Sequence, residues 1–459
     1  MNKKFDAIVI GAGQAGPPLA VKLASIGKKV AIIERKLFGG TCVNTGCIPT
    51  KTLIASAQVV HFARHAEDFG ILVNGLITVD MKKVKARKDA IVHKSSIGVE
   101  NWLKNTPNCT VYKGHARFED AHTVRVGDEL LEGEKIFINV GARAFVPSIL
   151  GLEKINYYTN SSIMDVDFIP EHLIIIGGSY IGLEFAQMYR RFGSKVTVIE
   201  KAPRLIPKED PDISDAVREI LEGEGITIRL NTECIQLDKH DGKVLVKLDC
   251  TDSEKSVSGS HLLLAIGRQA NTQDLGLDKA GIETDARYFI KVDDQLRTNV
   301  ATIWALGECN GKGAFTHTSY NDYEIIAANL IENNSRRVSD RILTYGLFID
   351  PPLGRAGLTE TEVRESGRKA LIGKISMTQV KRAIIKGDTR GFMKVIVDEE
   401  TKQILGAAVL GVGGDEIIQS ILDVMYAKAP YTVIQNAVHI HPTVTELIPT
   451  MLGELKPLI

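Results

Sequence analysis

Two cysteines, Cys42 and Cys47, stand five positions apart in the run Gly39-Gly40-Thr41-Cys42-Val43-Asn44-Thr45-Gly46-Cys47-Ile48-Pro49-Thr50-Lys51. Five residues of regular α-helix would hold their Cα atoms about 8–9 Å apart, beyond the roughly 7 Å that a disulfide tolerates. A bond between them therefore requires the segment to loop, and Gly46 supplies the backbone freedom for it. Pro49, Thr50 and Lys51 read as a helix start, whose N-terminus would stabilise a thiolate on Cys47. A bridge held in this way is reducible rather than inert. Two other readings stand beside it, half of a zinc site and a pair of unrelated thiols. Zinc calls for a second Cys or His pair at short spacing. Cys109, Cys234, Cys250 and Cys309 form no such pair, and only His439 with His441 comes near it. No metal is expected.

Those histidines have another use. In His439-Ile440-His441-Pro442-Thr443-Val444-Thr445-Glu446 the two could share one strand face, with Pro442 beginning a helix. Glu446, five residues beyond His441, is placed to reach back to one ring nitrogen, fix the tautomer and raise the basicity of the other. Thiol–disulfide exchange needs such a group, because the leaving thiolate takes up a proton and the attacking thiol loses one. His439 reads as structural, and Cys309 as a small buried residue.

The elements that must position these groups occur twice. Ala7 to Ile10 is an apolar strand, Gly11-Ala12-Gly13-Gln14-Ala15-Gly16 a turn, and a helical pattern runs to Ile26. A second strand, Lys29 to Ile33, ends at Glu34, 18 positions after Gly16. In this dinucleotide-fold order the glycines admit a pyrophosphate to the helix N-terminus and the acid accepts from a ribose hydroxyl. Pro17 and Pro18 lack N–H groups, which is tolerable in a first turn if the helix begins near Gln14. The pattern returns with the strand Leu173 to Ile176, the turn Gly177-Gly178-Ser179-Tyr180-Ile181-Gly182, a helix to Phe192 and the strand Val196 to Ile199. Glu200 closes it, again 18 positions after the last glycine. Two such units at one spacing imply two dinucleotide sites. Ser179 stands where a second glycine belongs, so close approach of a pyrophosphate there is in question. Glu200 favours the unphosphorylated ribose of NADH, although Lys201 and Arg204 lie near enough to meet a 2′-phosphate.

Helical patterns cover about residues 52–69 and 79–104, and a strand ends at Asn139-Val140-Gly141. A later strand, Ala301 to Leu306, runs into Gly307-Glu308 and brings an acid back toward the first nucleotide. The chain of 459 residues has room for about three domains. The expected division is 1–148 (FAD-binding, first part), 149–272 (NAD(P)-binding), 273–343 (FAD-binding, returning part) and 344–459 (dimerisation). The apolar content of 44% supports large cores, and a net charge of zero argues against nucleic acid or an anionic membrane as partner. The apolar run Phe5 to Ile10 is too short for a signal sequence, and nothing later reaches the roughly 18 residues of a membrane span. A soluble, cytoplasmic protein is expected, in which a disulfide is catalytic rather than structural.

At these residues the chain resembles the flavin-dependent pyridine nucleotide-disulfide oxidoreductases, the family of dihydrolipoamide dehydrogenase, glutathione reductase and mercuric reductase. The resemblance spans the whole chain. It rests on both glycine turns, the Gly-Gly-Thr-Cys-Val-Asn-Thr-Gly-Cys-Ile-Pro run, Ala265-Ile266-Gly267-Arg268, Gly307-Glu308 and the His441-Pro442-Thr443 run with Glu446. It implies an α/β fold, with two Rossmann-like dinucleotide-binding domains and a C-terminal α+β dimerisation domain. FAD would lie on the first unit against Gly11, Gly13, Gly16, Glu34, Gly40, Thr41, Lys51, Gly141, Gly307 and Glu308. NADH or NADPH would use Gly177, Gly182, Glu200 and Gly267. Lys51 resembles the lysine that pairs with a glutamate, here Glu184, near the flavin. Glu308 replaces the family's usual aspartate. Electrons would pass from NAD(P)H through the flavin to a Cys42–Cys47 disulfide, with Cys47 toward the flavin and Cys42 toward the substrate. His441 and Glu446 would come from the second subunit of a homodimer.

The acceptor is narrowed by absences. Mercuric reductases carry a vicinal cysteine pair at the C-terminus, and this chain ends Gly453-Glu454-Leu455-Lys456-Pro457-Leu458-Ile459. The redox tail of large thioredoxin reductases is also missing, while soluble transhydrogenases lack the cysteine pair found here. The expectation is a small acceptor such as a low-molecular-weight disulfide or lipoamide. The alternatives are hypothiocyanous acid or another oxidant, a mercuric-reductase-like activity, or a redox-sensing flavoprotein. Asn321-Asp322-Tyr323 and Gly387-Asp388-Thr389-Arg390-Gly391 resemble the hypothiocyanous acid reductases.

Overall fold

In a computed structural model, residues 2–250 and 254–458 are described; the outermost residue of the expected first and last domains lies outside them. The chain opens with β1 (Lys3–Ile10), α1 (Gly16–Ser25), β2 (Val30–Glu34), the short α2 (Gly40–Asn44), α3 (Cys47–Arg64) and α4 (Met81–Lys104). The strands β3 (Cys109–Lys113), β4 (Ala116–Phe118), β5 (Thr123–Val126) and β6 (Glu129–Ile138) follow. They form one sheet in the order β3-β2-β1-β6-β5-β4, whose core pairs are parallel: Ala7 faces Val30 and Ile10 faces Ile138. Ile8, Val9, Ile32, Phe137 and Ile138 are fully buried, as strands covered on both faces must be.

After β7 (Ala142–Ala144) the pattern repeats with β8 (Tyr157–Thr159), β9 (His172–Ile176), α5 (Tyr180–Phe192), β10 (Lys195–Ile199), α6 (Pro211–Gly223) and β11 (Thr227–Arg229). A meander of β12 (Glu233–His240), β13 (Lys243–Asp249) and β14 (Ser256–Gly259) leads to β15 (His261–Leu264) and completes the sheet β11-β10-β9-β15-β8. β16 (Arg268–Ala270) returns to pair with β7. β17 (Ile303–Ala305) then rejoins the first sheet beside β6, and α7 (Thr316–Leu330) follows.

The remainder is a six-stranded sheet, β18 (Thr344–Leu347), β19 (Leu353–Gly357), β20 (Ala370–Ser376), β21 (Phe392–Asp398), β22 (Ile404–Leu410) and β23 (Lys456–Pro457). It is ordered β18-β19-β22-β21-β20-β23 and antiparallel throughout. A helix over Gly414–Tyr426 buries Ile417, Ile418, Ile421 and Leu422 against this sheet. Two parallel α/β units and an α+β unit are thus the architecture, as the sequence implied. No helix among the described residues is long and apolar enough to cross a membrane.

Five local expectations shift. α1 begins at Gly16 rather than near Gln14, which puts Pro17 and Pro18 in its first turn, where their missing N–H groups cost least. α3 begins at Cys47, five residues before the apolar periodicity becomes legible, and α5 begins at Tyr180. His439 and His441 lie on no strand. The helix expected at Pro442 starts only at Ile448, after a 3₁₀ turn over Thr445–Leu447.

Candidate active site

The cysteine segment loops as the chain geometry requires. Cys42 lies within α2, Thr45 and Gly46 break the helix, and Cys47 is the first residue of α3. A Cβ on Gly46 would stand 2.8 Å from the Thr41 carbonyl oxygen, so the break accepts no larger residue without moving. Both cysteines carry free thiols, Cys42 half-buried and Cys47 exposed. Each thiol meets the other, and the Cys47 Sγ lies 3.2 Å from the Thr316 hydroxyl at the start of α7. The hydrogen bond with Cys42, joined by Thr316 and by the positive charge of Lys51, outweighs burial and pulls the Cys47 thiol down to about 6. The same contact, reinforced by burial, pushes Cys42 up. The two thiols therefore titrate as a pair, the contact between them favouring a single negative charge shared across it.

One turn along α3, the Lys51 ammonium donates to Glu184 of α5 at 2.7 Å and lies over the Phe348 ring, 4.2 Å from its centroid. Glu184 is 7% exposed at its side chain, and its other oxygen accepts from the Phe348 N–H at 3.1 Å. Elements of both nucleotide units and the strand-rich third unit thus converge beside Cys47.

The two glycine turns match closely. Gly11 and Gly177 have φ of +103° and +114°, and a Cβ on either would lie 2.3 Å from a neighbouring strand carbonyl. Glu34 accepts from the Ala12 and Lys36 N–H groups at 2.9 and 2.8 Å. Glu200 does the same with Gly178 and Ala202 at 2.6 and 2.8 Å. Each carboxylate is thereby fixed at the mouth of its turn. Gly16 and Gly182 pack onto the carbonyls of Gly11 and Gly177. Ser179 has φ −112°, extended backbone open to any residue, so serine is accommodated. Arg204 is ion-paired to Asp215, and Arg229 to Glu254.

The first turn also meets the cysteine segment: a Cβ on Gly40 would fall 2.7 Å from the Gly13 Cα, which ties the nucleotide turn to the thiols. Thr41 follows in α2, and its carbonyl accepts from Thr45. The Gly141 and Gly267 carbonyls accept from Asn271 and Phe145, bracketing the β7–β16 crossing between the units. Gly307 donates its N–H to the buried Asp322 at 2.7 Å, and Arg341 holds the other Asp322 oxygen. Glu308 is ion-paired with Arg268, whose guanidinium also donates to the Ala142 carbonyl at 2.7 Å. The extra methylene at Glu308 thus carries its carboxylate onto the arginine of the Gly267-Arg268 pair. A glycine turn at the mouth of α1, a carboxylate fixed beside it and a second glycine turn at Gly307 fit FAD; the second unit fits a pyridine nucleotide.

His441 and Glu446 are paired, the ring Nδ1 lying 2.9 Å from one carboxylate oxygen. The His441 side chain is 74% exposed while Glu446, paired to its Nδ1, is 15% exposed, so the ring stands at the surface with its carboxylate partner turned inward. This chain's own thiols are not joined to it by any recorded contact. His439 turns to the Ala437 carbonyl, and Cys309 is fully buried, its thiol pushed up to about 12 by burial. Among the described residues, no group of three or more His, Cys, Asp or Glu side chains is arranged to hold a metal.

Sequence reasoning missed Thr316, Phe348 and Asn139. Thr316 and Phe348 carry no motif of their own and reach the site by tertiary packing. Asn139 was visible as a polar residue ending an apolar strand, a position that asks where its amide goes.

Comparison with known proteins agrees with this arrangement. The family model for pyridine nucleotide-disulphide oxidoreductases matches residues 5–322, and that for the family's dimerisation domain matches residues 344–452. The chain is 37% identical to the probable pyridine nucleotide-disulfide oxidoreductase RclA of Escherichia coli, over 99% of this chain and 100% of the relative. It is 33% identical to a mercuric reductase of Streptomyces lividans, over 96% and 94% of the two chains. With a dihydrolipoyl dehydrogenase of Chlamydia muridarum the identity is 31%, over 97% and 96%. The solved structure described as HOCl-induced flavoprotein disulfide reductase RclA from Escherichia coli superposes with a TM-score of 0.90 at 36% identity, covering 98% of this chain and all of that one. With its two nucleotide units, its paired thiols and its C-terminal sheet, this chain belongs to the pyridine nucleotide-disulfide oxidoreductases, as a flavoprotein disulfide reductase.

Proposed function

We propose that this flavoprotein takes electrons from NADH and delivers them through Cys47 and Cys42 to a small oxidised acceptor. The observation that carries the reading is the geometry around the thiol pair: Cys47 is the first residue of α3, its Sγ lies 3.2 Å from the Thr316 hydroxyl, and Lys51 one turn along is held by Glu184 at 2.7 Å. FAD, when bound, supplies the two-electron carrier between pyridine nucleotide and the thiols. Gly11, Gly13, Gly16, Glu34, Gly40, Thr41, Lys51, Gly141, Gly307 and Glu308 are the residues that would hold it. Gly177, Gly182, Glu200 and Gly267 would hold the nucleotide. Lys51, fixed by Glu184, keeps a positive charge beside Cys47. Cys47 persists as thiolate at neutral pH, while Cys42, its proton removed by a base, attacks the acceptor.

The base is His441 of a second copy. Its outward ring and inward Glu446 suit a group that serves another chain, and the dimerisation domain supplies the contact. Glu446 holds the Nδ1 proton so that Nε2 accepts from Cys42 and later protonates the leaving group. NADH is favoured because Glu200 stands at the ribose position and the nearby Arg204 and Arg229 are ion-paired to Asp215 and Glu254.

The full-length likeness to RclA, whose solved form is described as HOCl-induced, favours a second reading in which the acceptor is a chlorine-derived or related oxidant such as hypothiocyanous acid. Steady-state oxidation of NADH and NADPH against lipoamide, glutathione disulfide, other small disulfides, hypothiocyanous acid and Hg2+ separates these. Turnover of one acceptor that is lost in Cys42→Ser identifies it. Absence of turnover with every acceptor, alongside a redox-dependent protein partner, would replace the enzyme with a sensor.

A further inference from the structure

The two nucleotide units give an internal comparison that isolates one side chain. In each, the residue after the third parallel strand donates its N–H to the last residue of the first strand: Asn139 to Ile10 at 2.7 Å, Ala265 to Ile176 at 2.8 Å. In each, the carbonyl of that residue sits 2.3 Å from where a Cβ on the opening glycine would be, Gly11 or Gly177. The backbones therefore correspond, and the side chains differ. Asn139 is 5% exposed, and its carboxamide lies against both Gly13 and Gly16. With its oxygen facing the turn, it accepts from the Gly16 N–H at 2.8 Å and the Gly13 N–H at 3.3 Å. The other end of the carboxamide lies 3.2 Å from the Cβ position of Gly307, the second glycine turn of the same site. Ala265 can make none of these contacts.

We infer that Asn139 is a positioning residue that locks the phosphate-binding turn of the first unit so that FAD is retained, while Ala265 leaves the second turn free to load and release pyridine nucleotide. A turn whose amides are fixed before the ligand arrives loses less freedom on binding, and its complex dissociates more slowly. A turn without that acceptor must order itself around each nucleotide, which suits a co-substrate that has to leave in every cycle. The inference rests on FAD occupying the first unit.

The test is Asn139→Ala in the full-length flavoprotein, with FAD release followed by recovery of free-flavin fluorescence. Removing the side-chain acceptor from the Gly13 and Gly16 amides, the latter keeping only the Gly13 carbonyl at 3.2 Å, is expected to raise the FAD dissociation constant about ten-fold or more, with KM for NADH unchanged. The flavin-free protein is expected to melt slightly below the parent, because the turn loses the acceptor there too, and the increment conferred by FAD is expected to shrink on top of that. Wild-type FAD retention overturns the inference, and so does a fall in the flavin-free melting temperature with the FAD increment intact. Should Asn139→Ala fail to fold, Asn139→Asp keeps the acceptor oxygen and places a negative charge beside the pyrophosphate. It is expected to fold and to shed FAD, and FAD retention by it would equally overturn the inference. Glu200→Ala, run in parallel, is expected to raise KM for NADH and keep its FAD. FAD loss from Glu200→Ala and not from Asn139→Ala would instead overturn the assignment of FAD to the first unit.

Discussion

Cys47 owes its low pKa to what surrounds one sulfur atom: the Cys42 thiol, the Thr316 hydroxyl and the charge of Lys51. Because the thiolate form is favoured, it is present above about 6 and lost as the pH falls through that value. The long-wavelength absorbance of a thiolate beside flavin is therefore expected to titrate with a midpoint near 6 in the reduced enzyme. Thr316→Val removes one hydrogen bond to the thiolate and is expected to move that midpoint upward by about 1 unit. An unmoved midpoint would show that the hydroxyl does not act on Cys47. At the other end of the chain, His441→Ala is expected to slow reduction of the acceptor by roughly 10²–10⁴-fold. Flavin reduction by NADH should continue at its normal rate, as single-turnover kinetics of the two half-reactions would reveal. Equal slowing of both would remove His441 from the thiol chemistry.

The elements hold these residues through contacts that a linear pattern encodes unevenly. The two glycine turns, with their acids 18 positions on, were legible because strand, turn, helix and acid follow one another within a few residues. The loop between Cys42 and Cys47 was legible from chain geometry, since regular helix cannot bring the sulfurs together. The start of α3 was legible to within two residues, at Pro49 to Lys51, but its exact first residue, Cys47, was not, because its first turn has no apolar period and its capping residue is a glycine. The seam between the second and third units was also hidden. Glu209 and Asp210, just before α6, meet Arg355 of β19 and Lys394 of β21, all four side chains at most 1% exposed. Lys394 donates to Asp210 at 2.9 Å and to Asp212 at 2.8 Å. Such partners stand more than 140 residues apart in the chain, and each looks like an ordinary surface charge in sequence. Burial raises the Asp210 carboxyl, but Lys394, the Glu360 N–H and Arg355 outweigh it and bring it to about 2. Its stabilising share is thus complete above the usual carboxylate value and is lost as the pH falls toward 2. Lys394→Met, which takes from the buried Asp210 its closest cation and leaves only an Arg355 shared with Glu209, is expected to cost up to about 3–5 kcal/mol in chemical denaturation. A loss below about 1 kcal/mol would put the seam among ordinary surface pairs.

At the scale of the whole molecule, the proposed function pairs the thiols of one chain with the His441 of another. His441 faces outward, and nearby Val438 and Ile440 are 100% and 80% exposed. Apolar side chains so fully presented beside His441 suit a surface covered by a second copy. Val438→Asp with Ile440→Asp is expected to shift the protein toward monomer in sedimentation velocity and to abolish acceptor turnover, while NADH still reduces the flavin. A monomer that turns over acceptor at the parent rate would mean that each chain is complete by itself. The relay proposed for the thiol pair has a direction, which depends on which cysteine faces the flavin. Anaerobic titration with NADH of the parent, Cys47→Ser and Cys42→Ser proteins tests this most directly. Long-wavelength absorbance is expected in the parent and in Cys42→Ser, which keeps the thiolate but cannot pass electrons on, and none in Cys47→Ser. Absorbance that survives in Cys47→Ser and vanishes in Cys42→Ser would contradict the account, because the relay would then run the other way.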